Sequence, residues 1–209
     1  MKKIAQVISV LFHPILIPLY GMICFFFYSP FAWVPVPLAY KWMVIIFTAV
    51  YTIVFPVLIL WWMKKNNMVS DIRVCNRTER TKPYIATFIL YLVWFWFLWR
   101  LAKISHVAVA AMLGVALINL LVLLINLRWK VSAHAAACGG VVGVLIAVSY
   151  LLYLNPLGII LGALGYSLMV MVARLILHEH TSMQVVIGFF VGVFGALLAY
   201  LFCYQFLFS

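Results

Sequence analysis

Long uninterrupted apolar runs dominate this chain and leave it few ways to fold. Seven of them approach or exceed the roughly 20 residues that an α-helix needs to cross hydrocarbon. They are continuous rather than alternating, so they read as helices and not as the strands of a barrel. In lipid every backbone N–H and C=O must find an internal partner, which helices provide. The residues are 69% hydrophobic and 8% charged, with a mean hydropathy of +1.23, against about 45–50% apolar in a soluble domain. The expected fold is therefore all-α: a polytopic membrane helix bundle of about seven transmembrane helices. It forms one domain over residues 1–209 and includes no soluble domain.

The spans read as Ile4–Tyr28, Trp42–Met63, Tyr84–Ala102, Val107–Leu127, Ala135–Leu154, Leu157–Leu177 and Met183–Phe208. Lys2-Lys3 ahead of the first run imitates a signal peptide. That run continues to Phe27 without a small-x-small cleavage site, so it reads as a retained helix. Pro14 and Pro18 should kink it, with His13 as a packing residue beside the kink. Cys24, Cys75, Cys138 and Cys203 show no CxxC or metal spacing, which suggests packing and no disulfide.

Three polar segments interrupt the apolar pattern: Lys64–Pro83, Arg128–Gly140 and Ala173–Gln184. Two spans separate the first from the second, and two more separate the second from the third. An even number of crossings returns a chain to the same face, so all three segments share one side of the membrane. The net charge of +11, from 14 Lys and Arg against 3 Asp and Glu, gathers largely in such connections. No nucleic-acid motif is present. The cations suit anionic headgroups or a phosphate ligand.

Together the segments supply Arg73 and Arg80, then Lys130, Ser132 and His134, then Arg174, His180 and Gln184. Guanidinium forks bind phosphoryl oxygens in bidentate fashion. A neutral imidazole can attack phosphorus, and a second can protonate the departing oxygen. Ionisable groups placed against apolar spans generally have work to do.

The order and spacing resemble the type 2 phosphatidic acid phosphatase (PAP2) family, whose signatures run Lys-x6-Arg-Pro, Pro-Ser-Gly-His and Ser-Arg-x5-His-x3-Asp. Here they read Arg73-x6-Arg80, with Thr81 where proline is expected; Val131-Ser132-Ala133-His134; and Ala173-Arg174-x5-His180-x3-Gln184. The likeness covers about residues 73–208. It implies a metal-independent lipid phosphatase that needs no cofactor. His180 would be the nucleophile and His134 the acid for the leaving lipid oxygen. Arg73, Arg80, Arg174 and Lys130 would hold the phosphoryl group, with further hydrogen bonds from Ser132 and the amide of Ala133. Candidate substrates are phosphatidate, phosphatidylglycerophosphate and polyprenyl diphosphate, and the setting implied is a bacterial inner membrane.

Gln184 departs from the pattern, because the family places an aspartate there. An amide oxygen four residues after His180 can still fix the tautomer of the ring, but it cannot balance an imidazolium. In a comparable triad the same exchange costs about 10⁴ in rate. Glu179 and Glu79 are candidate replacement counter-ions, and His178 reads as an interface residue. The alternative function is therefore a PAP2-like protein that binds lipid phosphate as a carrier or complex subunit. A break near Glu179–Ser182, with Thr181 or Ser182 capping the last helix, would let Arg174 and His180 face one centre. The Lys and Arg distribution suggests a cytoplasmic site and the family likeness suggests the opposite face, so the side stays open.

Overall fold

A computed structural model describes residues 1–28, 36–71, 74, 76–101, 106–151 and 157–207. Arg73, Cys75, Lys103 and Asn155-Pro156 lie outside these residues. The described elements are all helical: α1 (Lys2–Leu11), α2 (Ile17–Phe27), α3 (Leu38–Ala49), α4 (Phe55–Lys65), α5 (Thr81–Leu101), α6 (His106–Asn126), α7 (Ala133–Leu151), α8 (Leu157–Ile176) and α9 (Ser182–Phe202). A π-helical turn at Val50–Val54 joins α3 and α4 into one 28-residue helix. It lies where the Pro56 ring would clash with the carbonyl of Thr52, and the wider turn relieves that clash. Thr52 Oγ1 donates to the Thr48 carbonyl at 2.8 Å, and Trp94 Nε1 of α5 donates to Thr48 Oγ1 at 3.0 Å.

Six helices among the described residues are long and apolar enough to cross a membrane: α3–α4 together, and α5, α6, α7, α8 and α9 with its short extension. The protein is an all-helical, multi-pass membrane protein. The expected first span, Ile4–Tyr28, is instead two short helices broken between Phe12 and Leu16. Pro14 brings no N–H and clashes with the preceding turn, and the His13 Nδ1 accepts the Ile15 N–H at 3.4 Å in place of a helical carbonyl. Pro18 then sits in the first turn of α2, where proline is tolerated. α1 packs on α8, while α2 packs on α3, α6 and α7. In α1, Ala5 and Ser9 are buried four residues apart, and Ile4, Val7, Val10 and Leu11 are exposed.

The tightest packing joins α7 to α9. A Cβ on Gly139 would collide with the Phe189 carbonyl, and one on Gly192 with the Ala136 carbonyl. Small residues at these positions let the two backbones meet directly. Gly114 of α6 lies against Ala196 and Ala199 of α9, so α6 packs on this pair and carries α5 on its other side. The α4–α5, α6–α7 and α8–α9 connections consequently emerge at one end of the bundle.

Candidate functional site

The α8–α9 turn is the best-defined part of that end. α8 stops at Ile176, His178 takes a left-handed conformation (φ 53°) and is exposed, and α9 begins at Ser182. The break turns the chain so that Arg174 and His180 line the same cavity. Thr181 is the N-cap of α9. Its hydroxyl accepts the Gln184 N–H at 3.4 Å, and its own N–H donates to Gln184 Oε1 at 3.3 Å. The same Oε1 lies 3.1 Å from His180 Nδ1. An amide oxygen can only accept, so Nδ1 carries the proton and the Nε2 lone pair is left free.

His180 is buried, only 9% exposed. Burial above all pushes its imidazole down to about 4; the hydrogen bond with Gln184 pulls it up, and the charges of Lys130, Arg174 and Arg80 each add a smaller downward push. It is therefore neutral at pH 7. Cations from all three polar segments act on this one ring, so the segments converge as their topology requires.

The start of α7 supplies the second wall. The Ser132 N–H donates to the Gln184 carbonyl at 3.1 Å, which ties α7 to α9. Ser132 is fully buried, and its hydroxyl accepts the Ala135 N–H at 3.4 Å. It caps α7 and is not among the residues that line the cavity, whereas Ala133 and His134 are. His134 Nε2 lies 3.1 Å from the Ser9 carbonyl, so that nitrogen is the donor and Nδ1 is the one left for a ligand.

Arg80 enters from a 3₁₀ turn, Thr78–Arg80, that leads into α5. Its Nε donates to the Val74 carbonyl at 2.8 Å and its guanidinium hydrogen-bonds the Tyr84 hydroxyl. Arg73, its expected partner in the clamp, lies outside the described residues. Arg77 is structural: it donates to the carbonyls of Asn126 and Leu127 at the end of α6, and Asn126 Nδ2 returns a bond to its carbonyl at 3.0 Å. Glu79 accepts from the N–H and hydroxyl of Ser70 and from Asn76, closing its own loop and not serving His180. Glu179 pairs with Arg174, Oε2 to Nη2, at 3.7 Å.

A fourth segment joins the site that the motifs did not include. The α1–α2 break brings Ser9 and His13 to the cavity. The Ser9 hydroxyl accepts from Arg174 Nη1 at 3.3 Å, and the His13 ring meets the His134 ring edge-on at 5.2 Å between centroids. The signal in the sequence was a histidine and two prolines inside an apolar run. They announced a break, but not where the broken end would dock.

These groups share a cavity of about 1570 Å³, polar where Arg80, His134, Arg174 and His180 meet and mostly apolar beyond. A tetrahedral anion at the polar end would meet two guanidiniums, a free imidazole nitrogen on each side and the amide end of α7. Among the described residues no three His, Cys, Asp or Glu side chains gather as a metal site would require. Comparison with known proteins found no family model that matches the chain, no significantly similar curated protein and no significantly similar solved structure.

Proposed function

We propose that the chain is a metal-independent lipid-phosphate phosphohydrolase working through a phosphohistidine. The observation that carries the reading is the state of His180: neutral, with Nδ1 held by Gln184 and Nε2 free, among Lys130, Arg174 and Arg80. Nε2 attacks phosphorus as the bond to the lipid oxygen breaks; His134, whose Nε2 proton stays on the Ser9 carbonyl, takes the P–OH proton of the monoanionic substrate on Nδ1 and passes it to the departing oxygen. Water then attacks the phosphohistidine, giving inorganic phosphate and restoring the ring. The arginines stabilise the charge on the non-bridging oxygens throughout. The apolar part of the cavity accommodates the lipid body of a phosphate monoester or diphosphate.

One observation favours a second reading, a binder that does not turn over. Gln184 Oε1 is shared between His180 and the Thr181 cap and carries no charge to balance an imidazolium. The experiment is phosphate release from phosphatidate and polyprenyl diphosphate by the wild type, His180→Ala, His134→Ala and Gln184→Asp. Hydrolysis requires release by the wild type that both alanine variants abolish. Absence of release from every lipid phosphate, with vanadate still bound, makes the protein a binder.

A further inference from the structure

Below Arg80 the cavity wall is polar at a depth where apolar side chains would be expected. Arg80, Tyr84, Thr87 and Tyr91 all line it, and their spacings of four, three and four put them on one face of α5. Asn119 of α6 faces them, donating from Nδ2 to Thr87 Oγ1 at 2.8 Å and to the Tyr84 carbonyl at 3.3 Å. Both amide hydrogens are thereby used, and the Asn119 carbonyl oxygen is left for the cavity. The Tyr84 hydroxyl accepts from Arg80, so its own proton remains to be given. Tyr91 is buried at the midpoint of α5, and no described residue hydrogen-bonds its hydroxyl. Helical side chains lean towards the N-terminus, so Tyr84, about one turn below Arg80, tilts up towards the phosphate end, while Tyr91 lies about 16 Å down the helix from Arg80.

Hydrocarbon cannot satisfy such groups, and leaving them unpaired is costly. A prenyl chain beneath the phosphate would do so. The ester carbonyl of an acylated glycerol, about one helical turn below the phosphorus, would instead accept from the Tyr84 phenol. We infer that Tyr84 and Asn119 are specificity-determining residues that read lipid oxygens just beneath the phosphate. The site on this account takes the phosphate of an acylated glycerol in preference to that of a polyprenol. The inference rests on the lipid-phosphate reading above. The Tyr84 proton goes to an ester carbonyl, and the Asn119 carbonyl holds a water or lipid hydroxyl at the same level. The walls from α2, α7 and α8, with Phe25, Val144 and Ile159, are left for the acyl chains.

The test uses the 209-residue chain in nanodiscs of zwitterionic lipid. Binding and phosphate release are read on the same samples for dioleoyl phosphatidate, its dialkyl-ether analogue and a polyprenyl phosphate. The diacyl lipid should bind about tenfold more tightly than the other two, since a site built to hydrogen-bond a group rejects the analogue that lacks it. Tyr84→Phe should reduce that preference to about twofold or less. Equal binding of ester and ether by the wild type overturns the inference and needs no variant that might misfold. Ester preference without phosphate release sinks hydrolysis but supports the specificity residues. Release without ester preference does the reverse.

Discussion

Two histidines with opposite free nitrogens define the chemistry at the level of single residues. Gln184 holds His180 at Nδ1, and the Ser9 carbonyl holds His134 at Nε2. Because burial and neighbouring cations push His180 down to about 4, its protonated form appears only below that pH. On the proposed mechanism the neutral ring is the nucleophile, so activity should be lost as pH falls through about 4 rather than through the usual histidine value of about 6.5. A pH–rate profile of phosphate release checks this, and an acid limb centred near 6.5 contradicts it. Gln184→Asp places a carboxylate on Nδ1, favours the imidazolium and should move that limb upward. Ser9 acts at one remove, by holding the Arg174 guanidinium through its hydroxyl. A hydrogen bond to a charged group contributes about 1.5–3 kcal/mol, so Ser9→Ala should lower kcat/KM about tenfold or more. Ser9→Thr, which keeps the hydroxyl, should retain most of the activity.

Among the elements, α7 and α9 act as the fixed frame and α1 as the late addition. Gly192→Ala drives a methyl into the Ala136 carbonyl, which cannot move without moving α7. Overpacking of this kind costs about 1–3 kcal/mol, visible as a lower Tm in detergent. Gly165→Ala, on the face of α8 where a Cβ meets nothing, should leave Tm unchanged or higher, because alanine is the better helix former. Most of this frame was legible in the sequence. The apolar runs located α5 to α9, with starts within about three residues of those observed, and Thr181 announced the α9 cap through its own side chain and Gln184. The course of the first run was not legible. Two prolines in an apolar stretch look the same whether the helix kinks or breaks, and only docking on α8 decides between them. Ser132 misled for a related reason: a serine before a helix is both a ligand donor and a cap, and here the Ala135 N–H takes it. The Tyr84–Thr87–Tyr91 face was readable as a polar stripe in α5 but gains meaning only from Asn119 on another helix.

For the whole molecule, convergence of the site depends on the parity of membrane crossings more than on any one contact. α5 and α6 separate the Arg80 segment from the Lys130 segment, and α7 and α8 separate that from His180. The breaking of the first apolar run leaves this parity untouched, because the run lies before all three segments. Any register error that removed one span from the middle would instead carry His180 to the far side and leave Arg80 without it. Sidedness is therefore the most direct check of the architecture. In a variant whose native cysteines are replaced, Asp71→Cys, Arg128→Cys and His178→Cys, all at exposed positions, should react with an impermeant thiol reagent from one side of oriented vesicles. Arg100→Cys and Tyr150→Cys, exposed at the opposite ends of α5 and α7, should react only from the other. Labelling of His178→Cys together with Arg100→Cys would break the parity and with it the proposed phosphate site. The cations impose the same grouping independently: Lys64, Lys65, Lys82 and Arg128 flank the site end, and Lys41 and Arg100 the other. A charge asymmetry that remains when Arg80, Lys130 and Arg174 are set aside should hold the bundle in one orientation, so every copy is expected to present the proposed site to the same leaflet.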